Sequence, residues 1–60
     1  NLVVIKTETG SANAAAETID RLDMESILGV IAGDNTIFVA VDSSANARAV
    51  ADKLEDILRS

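Results

Sequence analysis

The side chains of this chain that could carry chemistry are carboxylates, amides and hydroxyls, because its 60 residues include ten acidic ones and no His, Cys or Tyr. General acid–base and nucleophilic catalysis draw mostly on His, Cys or a hydroxyl activated by a neighbouring base, and here only Lys6 and Lys53 remain beside the acids. Paired carboxylates can do acid–base work, but surface acids are ordinarily solvated charge. No catalytic residue is assigned and the chain reads as a non-enzyme. The usual zinc and transition-metal ligands are missing as well, so no metal site and no cofactor is expected. The segment Gly29-Val30-Ile31-Ala32-Gly33 does not open a helix at the spacing of a phosphate-binding loop, which argues against a nucleotide site.

Two polar groups carry more weight. Asn13 and Asp20 stand seven residues apart in a stretch with helical periodicity, so they fall nearly on one line, separated by about 10 Å of axial rise. They border the apolar stripe, and ordinary helix surface is the bland alternative for them. Asp20 and Asp23 add a further detail. They sit toward the C-terminal end of that helix, where the macrodipole disfavours negative charge by roughly 0.3–1 kcal/mol. The second group is Gly33-Asp34-Asn35, made of the commonest turn formers and readable as nothing more than a hairpin turn. A carboxylate on such a turn can nonetheless reach across an interface. If Asp34 met Asp20 of another subunit, a cation would have to lie between them, and a guanidinium fits because its planar donors match carboxylates in fork geometry.

The elements that must position these groups follow from periodicity. Leu2-Val3-Val4-Ile5 is a β-branched run that predicts a strand, ended by Lys6-Thr7-Glu8-Thr9-Gly10. Ala12, Ala15, Ala16, Ile19 and Leu22 then recur at helical spacing, with Glu17 and Arg21 as an outward i,i+4 pair. Residues 27–32 and 36–41 predict two strands joined through Gly33-Asp34-Asn35 as an antiparallel hairpin. Asp42-Ser43-Ser44 supplies oxygens to cap a last helix with the stripe Ala47, Val50, Ala51, Leu54, Ile57 and Leu58. The order β-α-β-β-α defines an α/β fold of the α+β type, a two-layer sandwich with a mostly antiparallel sheet and two helices on one face. The first strand starts almost at once, after Asn1 alone, which predicts that an N-terminal strand of the full domain is missing.

Residues 1–60 make one small domain, which has little core to spare. Disulfides are impossible without Cys, so association with other copies is the remaining source of burial. The strands support this. The first and third are apolar at consecutive positions, as strands covered on both faces are, yet two helices can cover only one face. The other face must meet a partner or stay exposed as a large apolar patch. The net charge of −5 and the lack of a Lys/Arg cluster make direct DNA contact by these residues unexpected. No apolar run approaches a membrane span, so a membrane partner is not expected either.

The segment Ile27-Leu28-Gly29-Val30-Ile31-Ala32-Gly33-Asp34-Asn35-Thr36 resembles the hallmark Ile-Leu-Gly-Thr-Ile-Ala-Gly-Asp-Asp-Thr of the C-terminal domain of bacterial arginine repressors, departing from it only at Val30 and Asn35. Residues 4–13 resemble the family's strand-to-helix passage, and Ile19-Asp20 its helix end. The resemblance spans essentially the whole chain. It implies a cytoplasmic oligomerisation and effector-binding domain that forms trimers and stacks them into hexamers, with L-arginine bound as corepressor where the trimers meet. DNA would be contacted only through a winged-helix domain absent from this chain. Carried over by position, Asn13, Asp20, Val30, Ala32, Asp34 and Asn35 would line the arginine pocket, with Asp34 shared across the trimer–trimer face. Asn35 in place of the second acid removes one negative charge per subunit, Val30 removes a hydroxyl, and Thr9 replaces the Pro that often precedes Gly10. These departures leave open a purely structural oligomerisation domain with a lost or altered effector site. A dehydratase of the pterin-carbinolamine type on a similar scaffold would require histidines that are not there.

Overall fold

A computed structural model describes residues 1–59 of the chain. The elements run β1 (Leu2–Lys6), α1 (Ala12–Arg21), β2 (Ile27–Gly33), β3 (Thr36–Val41) and α2 (Ser44–Arg59), the order read from periodicity. The sheet order is β1-β3-β2, and both outer strands run antiparallel to β3. β1 and β2 are therefore parallel to each other with β3 between them, and α1 makes the crossover from one edge of the sheet to the other. Helix α1 packs chiefly on β2, while α2 lies over β1 and β3. This is the two-layer α+β sandwich that the sequence predicts, with a sheet that is antiparallel throughout.

Alternation along β3 shows how the layers form. Ile37, Val39 and Val41 are buried against the helices, whereas Phe38 between them is exposed. Ala12 and Ile19 of α1 and Val50 and Leu54 of α2 close the same core. Ala15 and Ala16 of α1 and Ala47 and Leu58 of α2 pack at its margin. The opposite face carries Leu2, Val4, Phe38 and Ile31, paired across the strands as Leu2 with Ala40, Val4 with Phe38 and Ile31 with Phe38. Ile31 is 76% exposed, Leu28 71% and Phe38 45%, so an apolar surface lies bare to solvent in the single protomer.

One irregularity escapes the sequence pattern. The register steps from Ile27 opposite Val41 to Gly29 opposite Ala40, so Leu28 is an extra residue in a β-bulge. The bulge reverses the alternation of β2, placing Ile27 and then Val30 and Ala32 on the helix side. Among the described residues, three positions have left-handed backbone: Gly10 at φ 84°, Asp23 at φ 51° and Asp34 at φ 53°. Gly10 ends the loop after β1, Asp23 follows the end of α1, and Asp34 is the first of the two residues that join β2 to β3.

Candidate functional site

Four of the six residues singled out from the sequence line one cleft. Asn13 and Asp20 of α1 face Val30 and Ala32 of β2 across a space of about 540 Å³, whose wall is completed by Ala16 and Glu17. The volume lies within the range of about 300–1,000 Å³ usual for small-molecule sites. Its floor is apolar, made of Ala16, Val30 and Ala32, and its rim is polar. Asn13, Glu17 and Asp20 are all exposed, so the cleft is open along the outer side of α1 in a single protomer.

The cleft follows from two offset patterns on one helix. Ala12, Ala15, Ala16 and Ile19 form the i, i+3, i+4, i+7 stripe that faces the core. Asn13, Ala16, Glu17 and Asp20 repeat that spacing one residue later, which rotates it by about 100° to the border of the packed face. A stripe there cannot be buried by the chain's own sheet. Instead, it looks along the edge of β2, where the bulge at Leu28 has turned Val30 and Ala32 toward the helix.

Asp34 and Asn35 stand at the hairpin tip rather than on the cleft wall, and their backbone ties the tip to the start of α1. The Asp34 carbonyl accepts the N–H of Gly10 at 3.1 Å and the N–H of Ala12 at 3.2 Å. Ser11 makes no side-chain cap bond, so this carbonyl satisfies one of the donors that every helix start leaves free. The neighbouring carbonyl of Asn35 accepts the N–H of Thr7 at 2.7 Å. The Asn35 side chain is engaged locally: Lys6 Nζ donates to Thr36 Oγ1 at 2.8 Å, and Thr36 Oγ1 donates to Asn35 Oδ1 at 2.9 Å. Among the described residues the Asp34 carboxylate has no partner, and the residue is exposed.

The electrostatics of the cleft have one sign. Glu17 and Asp20 lie one helical turn apart on its wall, and no Lys or Arg lines it. The arrangement can hold a cation over an apolar floor, and Asn13 at the far end offers an amide donor and acceptor. Glu17 was not among the residues singled out for a site, because its i,i+4 spacing assigned it to Arg21. The two side chains are exposed and are not joined by an ion pair. The signal that could have found Glu17 is its place four residues after Asn13 and three before Asp20. A larger space, about 630 Å³, lies at the outer edge of β1, lined by Val3, Ile5, Ala15, Ala51 and Leu58 with Lys6 set against Glu8 and Glu55. We place the candidate site in the smaller cleft, which alone gathers the polar stripe of α1 without a balancing cation. Among the described residues there is no cluster of groups able to hold a metal ion.

The profile of the arginine repressor C-terminal domain matches residues 1–56. The chain belongs to that family. The arginine repressor of Clostridium acetobutylicum is 52% identical over 58 residues, which cover 97% of this chain and 39% of that protein. The arginine repressor of Thermotoga maritima is 50% identical over 58 residues, with 97% of this chain and 38% of the relative covered. That of Caldicellulosiruptor saccharolyticus is 47% identical at the same coverage of 97% and 38%. The chain thus spans about two fifths of the length of these relatives. Membership makes it a regulatory domain of a transcriptional repressor family and not an enzyme. No helix among the described residues is long and apolar enough to cross a membrane.

Proposed function

We propose that residues 1–60 form the oligomerisation and effector-binding domain of an arginine-responsive repressor, with L-arginine as corepressor held in the α1–β2 cleft. The observation that carries this reading is the cleft itself: Asn13, Asp20, Val30 and Ala32 converge on one apolar-floored, anionic space in a chain of this family. An arginine side chain suits it, because the methylenes can lie on Ala16, Val30 and Ala32 while the guanidinium meets carboxylates.

The site is open on one side in a single protomer, and the bare apolar face of the sheet gives copies a reason to associate. In the assembly, the Asp34 carboxylate and Asn35 at the tip reach the cleft of a neighbour, so that one arginine is shared between subunits and tightens a dimer of trimers. DNA binding belongs to a separate winged-helix domain in the whole protein, which acts in the cytoplasm. Asn35 and Val30 favour a second reading, a structural oligomerisation domain whose effector site has been altered, since each stands where the family hallmark has a more polar or more acidic residue.

Sedimentation of the chain with and without millimolar L-arginine tests both. The expected result is a self-associated species without ligand that shifts to a larger or tighter one with arginine, because a ligand that binds only the assembled state stabilises it by mass action. Assembly that ignores arginine supports the structural reading. A monomer at micromolar concentration in both conditions overturns the proposal.

A further inference from the structure

Glu17 adds a second carboxylate to the cleft, and nothing among the described residues neutralises it. It stands between the two polar residues of the stripe, about 6 Å of axial rise from Asn13 and about 4.5 Å from Asp20. Among the described residues, neither the Glu17 nor the Asp20 side chain has a hydrogen bond or ion pair. Arg21 is near enough in spacing to pair with Glu17 and does not. Like charges at i,i+3 on a helix repel mildly. Both acids also lie in the C-terminal half of α1, where the helix dipole adds negative potential. A cation placed between them would relieve both effects at once, which a neutral ligand of the same shape cannot do.

Resting on the effector reading above, we infer that Glu17 is a specificity-determining residue of the cleft, selecting ligands whose side chain ends in a cation over neutral isosteres. The apolar floor of Ala16, Val30 and Ala32 is blind to the ligand's charge, and the Asn13 amide can pair with either kind. Discrimination on this wall therefore falls to Glu17 and Asp20. The Asp20 carboxylate alone would set one charge against the ligand's one. Glu17 makes the pair, and a planar guanidinium can bridge two carboxylates because its donors point in more than one direction.

The test is calorimetric titration of the assembled chain with L-arginine and with L-citrulline, whose neutral ureido group matches the guanidinium in shape. The substitution Glu17→Gln keeps size and helix propensity while removing the charge. Arginine affinity is expected to fall about tenfold in the variant, the size of one charge-assisted hydrogen bond at a partly screened position. Citrulline affinity should not move. The difference should shrink as salt rises from about 0.05 to 0.5 M, because Glu17 is exposed and its field is screened. If the unmodified chain binds arginine and the variant keeps the same preference over citrulline, the role given to Glu17 is wrong while the effector reading stands. An equal loss for both ligands also overturns it, since that points to altered folding and not to charge. If the unmodified chain binds neither ligand, the effector reading fails and takes this inference with it.

Discussion

Helix α2 carries its own start, whereas α1 borrows one. Ser43 Oγ accepts the N–H of Asn46 at 3.2 Å, and Asp42 Oδ1 accepts the Asn46 amide at 3.0 Å, so the sequence just ahead of α2 caps it. Ser11 stands in the equivalent place before α1 and contributes no side-chain bond; the Asp34 carbonyl of the hairpin does the work. The two helices also differ in their outer surfaces. The surface of α2 carries an i,i+4 ion pair, Arg48 with Asp52 at 3.5 Å, while the acids of α1, on the wall of a cleft, have no partner among the described residues. A helix that completes the core can be locally self-sufficient. One that presents a site gains from being fixed by the element that forms the rest of that site.

The largest expected effect falls on the core contribution of α2. Leu54 is fully buried, and Leu54→Ala should lower unfolding stability by about 2–5 kcal/mol, read from denaturant melts. A loss below about 1 kcal/mol would mean that α2 is not the element closing the core.

An intermediate effect is expected at the borrowed start of α1. Asp34→Val places a β-branched residue at φ 53° and should destabilise by about 1–2 kcal/mol or more, whereas Asp34→Gly should be neutral or slightly stabilising in the same melts. Equal losses for the two would remove backbone conformation as the reason that the tip is held.

The smallest effect sharpens the comparison most. Ser43→Ala should cost about 1 kcal/mol, and Ser11→Ala should change stability by less than about 0.5 kcal/mol, because only the first removes a cap bond. Similar values for the two serines would erase the contrast between the helices.

What could be read from the sequence was what local chemistry decides. The strands, the Gly33-Asp34-Asn35 turn and the Ser43 cap follow from residue types within a few positions of one another, and they stand where the pattern puts them except that Lys6 and Gly33 extend β1 and β2 by one residue each. The bare face was legible too, because Leu2 to Ile5 and Ile37 to Val41 are apolar at every position while two helices cover one side. Asn13, Asp20, Val30 and Ala32 converge as expected from helix spacing and family resemblance together. Three features were not legible. The Asp34 carbonyl cap runs through backbone atoms that every residue has, so no side chain signals it. The bulge is hidden because Ile27, Leu28 and Val30 to Ala32 are all apolar and show no break in alternation. Glu17 was masked by a nearer explanation, the helical spacing to Arg21, which the structure does not use.

The bulge at Leu28 makes β2 a strand with two phases: its first residue and its later ones reach the helices on opposite parities. Substitutions there change only what each residue presents, but setting one residue aside fixes the side of all that follow. Were the strand to pair with β3 in one unbroken phase from Ile27, with Leu28 kept and no residue set aside, Val30, Ile31 and Ala32 would swap sides. The floor of the cleft and the greasy outer face would then trade places. The one extra residue at Leu28, and not the apolar pattern of β2, decides which side chains floor the cleft.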